Sequence, residues 1–169
     1  MDPKVKLIQI ANAFVGTLEK GYNKGPLIEE FQKAVDGVAS GEPYCAGFAR
    51  FCINKVDKEL GIKTWLYNTE FSLALWDKSP KEARVKPPIP GSIIIWQFFK
   101  FDKPQMSGHV GIVTAVHSKD GIIRVDTIEG NTSRGDGINR EGDGVWARNR
   151  SITGDASMRV LGFLNPWKY

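Results

Sequence analysis

A thiol paired with an imidazole can cleave amides. This chain of 169 residues carries two of each: Cys45, Cys52, His109 and His117. Cys45 stands in Gly41-Glu42-Pro43-Tyr44-Cys45-Ala46-Gly47-Phe48, where Gly and Pro close a loop and a helix-forming run follows. Proline is tolerated in a first helical turn because its missing N–H leaves no bond unmade. The pattern predicts Cys45 in the first turn of a helix, where unpaired N–H groups and the helix dipole favour a thiolate. Thiolate is the nucleophilic form of cysteine. Cys52, between Phe51 and Ile53, reads as inert core.

A thiolate nucleophile needs a base and a group that orients the base. His109 lies between Gly108 and Val110 at the mouth of an apolar run, and Gly111 leaves room beside its ring. His117 lies at the far end of the same run, beside a turn, where exposure is expected. His109 is therefore the candidate base. The Ser118-Lys119-Asp120-Gly121 turn folds one apolar run back on the next, which sets His109 opposite roughly residues 129 to 132. Glu129 and Asn131 are two apart and share a strand face. Either can accept a hydrogen bond from the ring. For an oxyanion, the Cys45 backbone N–H is the natural donor. The side chain of Tyr44 or Asn131 is the candidate second donor. All of this requires the start of the Cys45 helix to pack against the end of the second strand.

The elements that must do the positioning follow from periodicity. Helical spacing runs from Val5 to about Glu19, from Leu27 to Val35, and from Cys45 to about Glu59, with Gly61 as a stop. A short helix is expected within Thr69 to Trp76, then an exposed connection marked by Pro80, Pro87, Pro88 and Pro90. After Pro90 the residues become β-branched and aromatic. Strands are expected over Ser92–Phe99, His109–Val116, Ile122–Glu129, Gly144–Ile152 and Arg159–Leu164. Helices first and antiparallel strands after define an α+β domain. One domain, residues 1 to 169, is expected.

Apolar residues make up 41% and charged residues 25%, ordinary for a globular domain. The net charge of +4 is spread along the chain without a Lys/Arg block, and nucleic acid is not an expected partner. No run approaches the roughly 20 apolar residues of a membrane span, and residues 1 to 8 lack the features of a Sec signal peptide. Two cysteines seven residues apart on one helix sit roughly 10 Å apart, too far for a disulfide. No cofactor is implied. The run Asp136 to Asp143 has recurring oxygen donors, but it lacks the EF-hand pattern and Arg140 interrupts it. It reads as a polar loop, and no metal site is assigned.

Pro43-Tyr44-Cys45-Ala46-Gly47-Phe48, Gly108-His109-Val110-Gly111-Ile112-Val113 and Ile128-Glu129-Gly130-Asn131-Thr132 together resemble the nucleophile, histidine and Glu-Gly-Asn segments of CHAP domains. These are the cysteine- and histidine-dependent amidohydrolases/peptidases. Asn23-Lys24-Gly25-Pro26 with Ile28-Glu29-Glu30-Phe31 resembles the segment before the cysteine in phage-type members. The likeness covers about residues 20 to 165. It implies a papain-like α+β fold and cleavage of a peptide or amide bond in bacterial peptidoglycan. By position, Cys45 is then the nucleophile, His109 the base, Glu129 the orienter and Asn131 an auxiliary polar group. Many members carry Gln before the cysteine where this chain has Tyr44, which leaves the second oxyanion donor open. Some members bind calcium, but their acidic cluster is not matched here.

The resulting expectation is a monomeric peptidoglycan hydrolase, an endopeptidase or an N-acetylmuramoyl-L-alanine amidase. It would be made in the cytoplasm and would reach the wall by phage release, through a holin or in a virion, or by contact-dependent delivery. The alternatives are a thiol amidase acting on a small non-wall amide and a wall-binding module without turnover.

Overall fold

The computed structural model describes residues 1–134 and 142–168. The segment Asp136 to Glu141, which holds most of the acidic run read as a polar loop, lies outside the described residues. Among the described residues four α-helices precede a six-stranded sheet. Helix α1 (Pro3–Asn12) starts where Asp2 accepts from the Lys4 N–H at 2.8 Å, with Pro3 in its first turn. The expected continuation to Glu19 does not occur. Gly16 takes a φ of +92°, and the chain leaves the helix to lie along the sheet edge. There Gly16 N–H donates to the Val145 carbonyl and Val145 N–H to the Thr17 carbonyl, both at 2.9 Å. Strand pairing thus supplies the backbone bonds that a longer helix would have made.

Helix α2 (Pro26–Asp36) packs on α3 (Cys45–Leu60), which Gly61 caps in the left-handed conformation. Phe31 meets Phe48 and Phe51 edge-on at 5.1 and 5.0 Å between ring centroids. Helix α4 (Ser72–Lys78) follows, then a single 3₁₀ turn (Lys81–Ala83).

The strands are β1 (Arg84–Val85), β2 (Ile93–Lys100), β3 (Lys103–Lys119), β4 (Ile122–Thr132), β5 (Gly144–Ser151) and β6 (Met158–Leu164). They pair antiparallel in the order β1-β6-β2-β3-β4-β5. This is the α+β arrangement of N-terminal helices and C-terminal antiparallel sheet. Strand β3 starts six residues before the expected His109, because β2 continues into it through a tight turn with Phe101 and Asp102 at positive φ.

Alternation sorts the sheet residues onto two faces. Ile93, Ile95, Val110, Ile112, Ile128 and Leu164 meet the helices. Ile94, Trp96, Val113, Val125, Met158 and Phe163 form a second cluster on the opposite face. Among the described residues no helix is long and apolar enough to cross a membrane.

Candidate active site

Cys45 is the first residue of α3 and is 6% exposed. Pro43 lies just outside the helix, before the N-cap residue Tyr44, rather than in its first turn. The end of β4 comes close to this helix start. A Cβ at Gly130 would lie 2.6 Å from the Phe48 Cβ, so only glycine permits the approach. The packing of helix start on strand end that the sequence required is therefore present, and Gly130 is its hinge point.

His109 lies on β3 directly across from Trp96 of β2, and the two rings are tilted by 30° at 5.5 Å. Its Nε2 lies 2.8 Å from Glu129 Oε2. The space beside Gly111, open on paper, is where the Glu129 side chain passes: a Cβ there would lie 3.0 Å from Glu129 Cγ. With Nε2 engaged, Nδ1 is the ring nitrogen left to serve the Cys45 thiol, whose electrostatic coupling to His109 shifts both groups. The Cys45 Sγ also touches Ser72 Oγ at 3.8 Å.

Glu129 is fully buried, and its two oxygens are saturated. Oε2 takes the His109 ring and Arg150 Nη2, the latter at 2.6 Å; Oε1 takes Arg150 Nε at 2.9 Å and the Thr127 hydroxyl at 2.5 Å. The arginine fork is bidentate, the strongest geometry for a carboxylate. Burial alone would raise the Glu129 pKa; the hydrogen bonds and charges of Arg150 and His109 outweigh it and hold the carboxyl far below its usual range.

The same balance runs along the line. Burial would lower the His109 pKa, but its bonds to Cys45 and Glu129 and their negative charge hold it up at about 9. Burial would raise the Cys45 thiol; the His109 bond and charge, the Ser72 hydroxyl and the Val110 backbone N–H bring it below its ordinary value. The two shifts point the same way, toward a proton resting on the imidazole and a negative sulfur.

A cleft of about 390 Å³ opens over this line, with Cys45, Ser72, His109, Asn131 and Arg150 among its lining residues. Asn131, at φ +53°, has a buried side-chain oxygen without a partner. Its backbone N–H donates to the Tyr44 hydroxyl. Tyr44 itself is a correction to the sequence reading. Its ring is fully buried against Phe31 and its hydroxyl donates to Glu19 Oε1 at 2.8 Å, so it does not face the cleft as an oxyanion donor. It braces the Asn131 backbone from behind instead.

The structure thus brings Cys45, His109, Glu129 and Asn131 together and turns Tyr44 away. Cys52 is buried core, and His117 is exposed on Asp126. Two neighbours were missed. Arg150 lies in a segment read as a strand, and its signal is a buried carboxylate that needs a cation. Ser72 carries no sequence signal. Among the described residues no group of three or more His, Cys, Asp or Glu side chains is placed to hold a metal ion.

A helix-borne thiol, an imidazole and a buried carboxylate thus lie in one line at the cleft. A CHAP domain family model matches residues 37–131, more than half of the chain and all three of these residues. The chain belongs to the CHAP domain family, and with it to hydrolases of amidase or peptidase type, commonly acting on peptidoglycan. No curated protein and no solved structure matches the chain significantly.

Proposed function

We propose that the protein is a peptidoglycan hydrolase that cuts an amide bond, as an endopeptidase or as an N-acetylmuramoyl-L-alanine amidase. The observation that carries this reading is the convergence of the Cys45 thiol, the His109 ring and the Glu129 carboxylate, ring and carboxylate hydrogen-bonded, under an open cleft. The Cys45 thiolate attacks the amide carbonyl, with its own backbone N–H at the helix start donating to the oxyanion. His109, already protonated, gives its proton to the leaving amine. It then takes one from the water that releases the acyl group. Glu129 holds the ring by Nε2 and stabilises its charge. Asn131 supplies a polar wall to the cleft. One catalytic domain acts as a monomer at the wall, reached by phage-encoded release or by contact-dependent delivery.

The test is mass spectrometry of peptidoglycan fragments from several wall types after digestion. New amino termini without new reducing sugars are expected, and they vanish with Cys45→Ala while wall binding persists. Retained digestion by Cys45→Ala would remove the nucleophile from this reading. An intact wall with every wall type would favour a small-amide substrate or a binding role.

A further inference from the structure

Sites of this chemistry ordinarily offer the developing oxyanion two donors. With Tyr44 turned away, the Cys45 backbone N–H has beside it Asn131 in the cleft wall, which makes no described bond to the sulfur. The side chain that touches the sulfur from the opposite element is Ser72. It is the first residue of α4, is 7% exposed, and forms part of the cleft wall. Its hydroxyl lies 3.8 Å from Cys45 Sγ, and no other side-chain partner competes for it among the bonds described. Ser72 comes from a helix that packs on β2 and β3, so the hydroxyl is held by the same sheet that carries His109.

We propose that Ser72 is a catalytic residue of this site, its Oγ–H supplying the second donor to the tetrahedral oxyanion. The inference rests on the acyl-transfer reading given above. A productive donor lies about 2.7–3.1 Å from the oxyanion rather than from the ground-state carbonyl. The oxygen of an adduct on sulfur sits one carbon beyond that sulfur. A hydroxyl already against the sulfur, on the cleft side, is therefore next to where that oxygen forms.

In the resting enzyme the hydroxyl donates to the thiolate. As the sulfur bonds to the carbonyl carbon, the C–O π pair moves onto oxygen, and the hydroxyl swings from sulfur to oxygen without giving up its proton. The pair returns to carbon as the C–N bond breaks, and His109 delivers its proton to the departing amine. The exchange costs the enzyme no free donor, because the charge that Ser72 serves moves from one atom to its neighbour. This differs from a Gln placed just before the nucleophile: the donor here comes from downstream in the chain and from another helix.

The experiment compares wild type, Ser72→Ala and Ser72→Thr on dye-labelled peptidoglycan, alongside alkylation of Cys45 by iodoacetamide. Alkylation at carbon forms no oxyanion, so it reads the thiolate alone. Expected is a loss of about 100-fold in kcat for Ser72→Ala, with KM little changed. Alkylation measured at its high-pH plateau stays near the wild-type rate, and Ser72→Thr recovers part of the loss. Equal kcat in wild type and Ser72→Ala overturns the inference while leaving the hydrolase reading standing. So does a parallel fall in kcat and plateau alkylation, which marks a packing role. A wild type that alkylates rapidly at Cys45 but digests no wall overturns both readings together.

Discussion

Strands β3 and β4 carry a histidine and a carboxylate facing each other at both ends of their hairpin. At one end His109 Nε2 meets Glu129 at 2.8 Å; at the other His117 Nε2 meets Asp126 at 2.6 Å. The side chains of the first pair are 8% and 0% exposed, those of the second 56% and 41%. The exposed pair has the shorter bond, yet among the described residues no thiol is bonded to it. Its Asp126 is held down first by the Asn149 amide and then by His117, all within reach of water. The buried pair is one link in a longer line, from Arg150 through Glu129 and His109 to a sulfur. What separates the two pairs is therefore burial and the further partners on either side, not the hydrogen bond itself.

The largest effect expected from this contrast is on turnover. His109→Ala should lower wall hydrolysis by on the order of 10⁴-fold or more, as removal of a triad histidine does. His117→Ala should leave kcat unchanged within error. Release of labelled fragments measures both. Comparable losses at the two positions would erase the distinction and with it the choice of His109.

Stability should separate the carboxylates next. Glu129→Gln leaves the Arg150 guanidinium buried without its counter-charge, and breaking such a pair costs about 3–5 kcal/mol. Asp126→Asn removes an exposed partner, for which about 0–1 kcal/mol is expected. Urea unfolding of the two variants gives both numbers. Because the folded Glu129 pKa is depressed, its contribution is fully present above the ordinary carboxylate value of about 4.3. It is lost as pH falls through the folded value, so the deficit of Glu129→Gln should shrink toward acid. A deficit that persists unchanged in acid would place the cost in packing rather than in charge.

The parts legible from the sequence were those set by local chemistry. The Gly-Pro stop before Cys45 announced a helix start. The Asp120-Gly121 turn fixed the hairpin, and a fixed hairpin placed Glu129 near His109 by counting residues. The parts that escaped depend on pairing between distant segments. Arg150 reaches Glu129 because β5 lies beside β4, with Arg150 across from Val125; no spacing along the chain announces that neighbour. Ser72 reaches Cys45 because α4 folds over β2 and β3. The end of α1 at Asn12 escaped because helical spacing continues to Leu18, while the backbone there finds a better partner in β5. Tyr44 was placed in the right loop and turned the wrong way. The side chain that follows a loop is directed by what it packs on, here Phe31 and Glu19, and both belong to segments upstream of α3.

The two cysteines of α3 repeat the contrast within a single helix, with the smallest effect on rate. Both are free and buried. At Cys52 burial dominates, only the Lys55 charge opposes it, and the thiol is pushed far above its ordinary value. At Cys45 the burial penalty is present too, and the partners overcome it. Iodoacetamide at neutral pH should therefore label Cys45 and spare Cys52, as peptide mapping would show. The pH dependence then separates sulfur from ring. Cys45 alkylation should rise at a pH below the ordinary thiol range and hold its plateau, because thiolate is all that it needs. On the proposed mechanism, wall hydrolysis needs the imidazolium as well. The raised pKa keeps His109 charged until about 9, and above that hydrolysis should fall toward about tenfold per pH unit while alkylation does not. If the two profiles fell together, the alkaline loss would come from the fold rather than from the ring. Labelling of both cysteines at similar rates would mean that the buried line from Arg150 to the sulfur does not tune the thiol at all.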